Sequence, residues 1–305
     1  MKKEVVGLGA WLCISLLLCF IMHSYFEPLF ARYQFVDDAG FKQKQFAGSL
    51  EYKDFVESYY AGAESEEKTY VNPIFARNLP ADLDQLQPKD KTDIFISLIA
   101  PEALRVNDRI REERDELLFF ARKMKTFHSL TAKEKWRLNY LYKKYKVTSR
   151  NFEELLIRVD LIPPSLIIAQ AITESGWGTS RFAQEGNGLY GQHVSGKSKA
   201  KYILSLHGNV KVAAFDSIFE ATLSYAENLN SHRAYSVLRE VRAEFRENAK
   251  MLDGADMARG LLHYSEIGER YIKDIQYIIE RYNLKDFDTA QLNHKVRGVS
   301  VLFER

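Results

Sequence analysis

The segment Ala169-Gln170-Ala171-Ile172-Thr173-Glu174-Ser175-Gly176-Trp177-Gly178 sets a single acid at the end of an apolar stretch. Read as a helix, it buries Ile168, Ala171 and Ile172 and carries Glu174 near its C-terminus. There the helix dipole opposes a negative charge. Partial burial beside Trp177 disfavours the ionised form as well. Both effects raise the carboxyl pKa, as a general acid near neutral pH requires. The two glycines let the chain turn sharply and leave room beside the acid. A lone helical glutamate more often caps or pairs with a cation. The second glycine run, Gly186-Asn187-Gly188-Leu189-Tyr190-Gly191, weighs the choice toward chemistry.

Other chemistries find less support. His193, His207, His232 and His263 lack metal-ligand spacing such as His-Glu-x-x-His, so no metal is expected. No P-loop lysine follows a glycine-rich turn, and no Gly-x-Ser-x-Gly elbow is present. Neither nucleotide nor any other cofactor is expected. The two cysteines, Cys13 and Cys19, both lie in the first apolar run, so the remainder offers no thiol ligand or nucleophile. Net charge is +2, too small to argue for nucleic acid.

Glu174-Ser175-Gly176-Trp177-Gly178, followed by Gly188-Leu189-Tyr190-Gly191, resembles the signature of glycoside hydrolase family 73. Its members are endo-β-N-acetylglucosaminidases of the lysozyme-like superfamily. The segments Phe215 to Glu220, Leu229 to Tyr235 and Tyr264 to Tyr271 are similar to its Bax-like bacterial branch. The resemblance runs from about residue 105 to 285. It implies that Glu174 is the catalytic glutamate. It also implies that Trp177, Asn187 and Tyr190 line a sugar cleft, and that Tyr264 or Tyr271 lies near the scissile bond. The implied partner is the peptidoglycan glycan strand, cut at a β-1,4 bond.

One departure bears on mechanism. Many family members carry a second acid in the hairpin lobe, yet the stretch from Gln192 to Ala214 has no Asp or Glu. Asp216 and Glu220 lie just beyond, where Asp216-Ser217 equally suits a helix cap. A two-carboxylate glycosidase needs its acids roughly 5–9.5 Å apart. Three routes stay open: Asp216 or Glu220 reaches the cleft, the substrate's 2-acetamido group acts as nucleophile, or its 6-hydroxyl attacks as in lytic transglycosylases. A binding scaffold without turnover is the non-enzymatic alternative.

The elements that position these residues are mostly helical. Thr131-Ala132-Lys133-Glu134 is a capping box, Asn151 a second cap, and Pro163-Pro164 suits the first turn of the helix leading to Ser175. Residues Asn107 to Thr126 carry helical apolar spacing. Lys201 to Leu206 and Val210 to Phe215 read as a hairpin, and helices return over 218–229, 234–247, 253–262 and 268–282. The predicted class is α+β, predominantly α: a lysozyme-like helical domain with a small β-hairpin lobe, preceded by a transmembrane helix.

Lys2 and Lys3 precede an apolar run from Val5 to Met22, about 18 residues against the ~20 that span a bilayer. Lysines before the run favour a cytoplasmic amino terminus, so a single-pass inner-membrane anchor with a periplasmic domain is expected. The lack of a small-x-small cleavage site favours an anchor over a cleaved signal peptide. The expected divisions are an anchor over residues 1–26, a connector or stalk over 27–100, a catalytic domain over 101–288 and a tail over 289–305. Within the connector, Phe41 to Tyr60 suits a helix and Asp93 to Ala100 a short strand or docking segment. The 305 residues are 46% hydrophobic, enough for a sizeable core.

Overall fold

A computed structural model describes residues 40–61, 70–126, 129–194, 200–206, 208, 210–262, 264 and 268–304. The expected anchor over residues 1–26 lies outside the described residues. No helix among the described residues is long and apolar enough to cross a membrane. Residues 41–305 form one compact unit.

In chain order the elements are β1 (Lys42–Phe46), α1 (Ser49–Ala61), β2 (Tyr70–Val71), β3 (Ile74–Ala76), α2 (Pro88–Lys125), α3 (Ala132–Lys144) and α4 (Phe152–Arg158). Next come α5 (Pro164–Ser175), α6 (Arg181–Gly186), β4 (Tyr202–Leu204), β5 (Lys211–Ala213), α7 (Ile218–Ser231) and α8 (Ser236–Glu247). Last are α9 (Gly254–Met257), α10 (Glu269–Arg281), β6 (Gln291–Leu292) and β7 (Val299–Phe303). The mainly helical class with small sheets is therefore as expected. Local signals account for much of it. Thr131 and Glu134 close the capping box of α3, and Asn151 accepts from the Glu154 amide at the start of α4. β4 and β5 pair antiparallel, with Ile203 opposite Val212.

The structure corrects the expected connector. The boundary at residue 100 falls inside α2, a continuous helix of 38 residues. Ile94, Phe95, Leu98 and Ile99 are buried in the main core, at helical rather than strand spacing. Pro101 sits inside this helix and cannot donate to the Ser97 carbonyl one turn back. The Tyr52 hydroxyl of α1 donates to that carbonyl instead, at 3.4 Å. The expected single helix from Phe41 is a strand, β1, followed by α1.

The expected tail is corrected too. β7 is the middle strand of a parallel three-stranded sheet, β1-β7-β3, with Val299 beside both Lys42 and Ile74. Val299, Val301 and Phe303 are buried. The two ends of the described chain are thus tied into one sheet, which contacts α2 through β3.

α5, which carries Glu174, is buried along nearly its whole length. Asp288 anchors its first turn, accepting from the Ser165 amide at 2.9 Å and the Ser165 hydroxyl at 2.8 Å. The Gly254 amide donates to the same carboxylate at 3.0 Å. A Cβ at Gly254 would fall 2.0 Å from the Ser165 hydroxyl, so α9 approaches α5 this closely only with glycine there.

Removal of residues 1–100 tests this arrangement. Burying Ile94, Phe95, Leu98 and Ile99 contributes roughly 6–12 kcal/mol, at ~1.5–3 kcal/mol for each side chain. That is comparable to the whole stability of an ordinary domain. A chain beginning at residue 101 is expected to show no cooperative thermal transition by circular dichroism. A transition as sharp as that of the full chain would contradict the role given to the first hundred residues.

Candidate active site

α5 ends in a reversal that turns its last carboxyl toward a crossing loop. Gly176 takes φ 58°, Trp177 φ 61° and Gly178 φ 75°, three consecutive left-handed residues. Trp177 adopts this conformation at a cost of roughly 1–2 kcal/mol. Its ring is held edge-on between Phe95 at 6.0 Å and Tyr282 at 4.9 Å. A Cβ at Gly178 would lie 2.8 Å from the Phe95 ring, so the glycine is what lets α2 approach. The Ser175 hydroxyl accepts from the Gly178 amide at 2.8 Å and closes the turn.

The second glycine loop folds back over the acid. Asn187 caps α6 in the left-handed region, and its side-chain amide donates to the carbonyls of Arg77 at 3.2 Å and Phe215 at 3.1 Å. Tyr190 is buried, its ring stacked on Tyr225 at 4.1 Å and 14°. Its hydroxyl shares a hydrogen bond of 3.1 Å with Thr222. Gly191 is exposed, at φ 61°, and a Cβ there would lie 3.3 Å from Oε2 of Glu174. Glycine at this position keeps the space next to that oxygen clear.

Glu174 itself is half-buried. The Tyr271 hydroxyl donates to its Oε1 at 2.7 Å. Burial holds the carboxyl above its ordinary value of 4.5, and the hydrogen bond from Tyr271 pulls in the opposite direction. Its partner is a phenol and not a cation. Tyr271 stacks on Tyr264 at 5.5 Å and 12°, and Tyr264 lies 5.8 Å from Tyr235. Burial raises the hydroxyl pKa of all three tyrosines, and the Glu174 charge raises them further. The acid therefore sits among neutral phenols. One of its oxygens is occupied, and the other lies at the glycine.

The expected site residues divide in two. Glu174, Tyr271 and Tyr264 come together. Tyr271 bonds the acid directly, while Tyr264 packs on Tyr271 and donates to the Tyr190 carbonyl at 2.9 Å. Trp177, Asn187 and Tyr190 serve the scaffold instead. The Trp177 ring packs on Phe95 and Tyr282, Asn187 ties the loop to its neighbours, and Tyr190 is covered by Tyr225.

Asp216 and Glu220 belong to the start of α7. Glu220 accepts from the Asp216 amide at 3.0 Å while the Ser217 hydroxyl accepts from the Glu220 amide at 3.1 Å, a reciprocal cap. Asp216 forms an exposed ion pair with Lys201. Neither contributes to the raised pKa of Glu174. Among the described residues, no group of three or more His, Cys, Asp or Glu is arranged to hold a metal ion. Gln170 and Tyr225 went unnoticed in the sequence. A glutamine four residues before the acid, on an otherwise apolar helix, was the available signal.

The chain is 37% identical over 145 residues to Protein bax of Escherichia coli (strain K12). That stretch is 45% of this chain and 52% of the relative, so the chain spans about half the length of the protein it matches. Among solved structures, it is similar to the catalytic domain of the autolysin Auto from Listeria monocytogenes. Identity is 22% and the TM-score 0.33, over 56% of this chain and 96% of that one. A peptidoglycan hydrolase from Sphingomonas sp. A1 is 18% identical with a TM-score of 0.33, over 53% of this chain and 92% of the other. Residues 149–284 match the Glucosaminidase family, described as mannosyl-glycoprotein endo-beta-N-acetylglucosaminidase. The signature around Glu174 lies within that match.

Proposed function

We propose that this chain is a peptidoglycan hydrolase, an endo-β-N-acetylglucosaminidase in which Glu174 is general acid and then general base. The observation that carries the proposal is the divided environment of one carboxyl. Tyr271 occupies Oε1, while Gly191 leaves Oε2 clear. The Glucosaminidase family match over residues 149–284 supplies the reaction class. The relatives whose names speak of autolysis and peptidoglycan hydrolysis suggest the substrate.

The step follows from the geometry. Glu174 gives the proton on Oε2 to the glycosidic oxygen as the C–O bond breaks. The carbonyl oxygen of the sugar's own 2-acetamido group closes on the anomeric carbon. Water then adds to that carbon, its proton returns to Glu174, and the acetamido group is released. Tyr271 keeps its hydrogen bond to Oε1 throughout and stabilises the carboxylate between the two steps. This route is favoured over a second carboxylate because the Glu220 carboxylate is committed to the cap of α7 and the Asp216 carboxylate to its ion pair with Lys201. The apolar run from Val5 to Met22, preceded by Lys2 and Lys3, supports placing this domain in the periplasm on an inner-membrane anchor.

The full chain with purified peptidoglycan, followed by mass spectrometry, tests the proposal. New reducing N-acetylglucosamine ends are expected. Anhydromuramic ends would make it a transglycosylase. Co-sedimentation with sacculi but no release would make it a binding module. Glu174→Gln is expected to lower the rate by ~10²–10⁴. The same variant should gain in melting temperature over the parent as pH rises through the raised pKa, because the parent then ionises a buried carboxyl. That gap should close as pH falls through the raised pKa toward 4.5, where the parent carboxyl is protonated in the folded state.

The pH–rate profile gives a third check. Activity needs protonated Glu174, so kcat/KM should fall on the alkaline side with a midpoint above 4.5. A midpoint at or below that value would remove Glu174 from the role of acid. Gly191→Ala should cost at least about tenfold in rate, through backbone strain and crowding of Oε2. Parent-like turnover in a folded Gly191→Ala protein would show that the acid does not use this opening.

A further inference from the structure

Gln170 lies one helical turn before Glu174 on α5 and is completely buried. Its amide is the centre of a directed chain of hydrogen bonds. The Tyr225 hydroxyl donates to Gln170 Oε1. Gln170 Nε2 donates to the Tyr271 hydroxyl oxygen at 2.9 Å. Tyr271 in turn donates to Oε1 of Glu174 at 2.7 Å.

The direction of this chain matters. A phenol has one hydrogen to give. With an amide N–H aimed at its oxygen, Tyr271 has that hydrogen available for Glu174. A reversed amide would present its carbonyl oxygen to Tyr271 and compete for the same hydrogen. It would also leave the Tyr225 hydrogen without its acceptor, in a place with no exposure to solvent. An unpaired buried donor is costly, so Tyr225 selects the orientation. Tyr225 is itself held flat against Tyr190 at 4.1 Å.

We infer that Gln170, oriented by Tyr225, is a positioning residue that makes Tyr271 a donor to Oε1 of Glu174 and so directs the transferable proton to Oε2, on the Gly191 side. The inference rests on the reading of Glu174 as the acid. It assigns a function to a fully buried amide whose neighbours one turn back are Leu166 and Ile167. Packing alone would be served there by Leu or Met. Hydrogen bonds in series strengthen one another, so loss of the Gln170 donor weakens the Tyr271 donation. The Glu174 pKa then rises, because Tyr271 is the group that lowers it.

The test compares full-length parent, Gln170→Met, Tyr225→Phe and Glu174→Gln on solubilised peptidoglycan chains, across pH, with thermal melts to establish folding. Gln170→Met should lower kcat about tenfold, with KM within about twofold, the loss of one hydrogen-bond step in the chain. Its alkaline limb should move to higher pH. Tyr225→Phe should shift the limb in the same direction by less. A merely structural role would lower the melting point and leave the limb in place. Folded Gln170→Met with parental kcat and parental limb, beside an inactive Glu174→Gln, overturns the positioning role alone. A fully active Glu174→Gln overturns the reading beneath it. If Gln170→Met does not fold, Tyr225→Phe decides, and an unmoved limb in that variant overturns the inference.

Discussion

The hydrogen bond from Tyr271 to Glu174 is the contact on which the rest of the site depends. Burial alone would push the carboxyl pKa upward without limit on which oxygen carries the proton. A phenol at 2.7 Å supplies that limit. It is neutral, so it does not pull the pKa down as a cation would. It is also a donor, so it marks Oε1 as the acceptor and leaves Oε2 for chemistry. A lysine or arginine in the same position would hold the acid ionised. An aliphatic residue would leave it neutral but undirected.

Holding two side chains in this relation demands a rigid support. Glu174 comes from the end of α5 and Tyr271 from the first turn of α10, 97 positions apart in the chain. α5 is clamped at its start by Asp288 and at its end by the Gly176–Gly178 reversal. That reversal packs against Phe95, Leu79 and Leu83, all N-terminal to the residues 149–284 that match the Glucosaminidase family. Asn187 reaches the Arg77 carbonyl in the same direction. The segment before residue 101 is therefore part of the support for the site. Its sheet is completed by the last residues of the chain, through β7.

What the sequence disclosed followed from locality. Glu174 with its glycines, the capping box at Thr131, the cap at Asn151, the double proline before α5 and the β4–β5 hairpin are all read within a few neighbours. Parallel pairing of β7 with β1 and β3 joins residues more than two hundred positions apart, and no local signal announces it. Val299-Ser300-Val301-Leu302-Phe303 does carry strand-forming types, but five residues are too few to stand out. Asp93 to Ala100 suited a strand or docking segment, yet α2 runs through it and past Pro101, and Tyr52 takes up the carbonyl that the proline frees. Trp177, Asn187 and Tyr190 show the remaining gap. A motif names the residues beside a site, but only packing decides which of them face the substrate and which hold the loop.

Direct titration of the Glu174 carboxyl is the most direct measurement, by carbon NMR of protein labelled at the glutamate carboxyl, with Glu174→Gln to assign the signal. Parent protein should titrate above 4.5, and Tyr271→Phe higher still, since the hydrogen bond that lowers the value is gone. A parent value at or below 4.5, or no upward movement in Tyr271→Phe, would contradict a buried acid governed by that phenol.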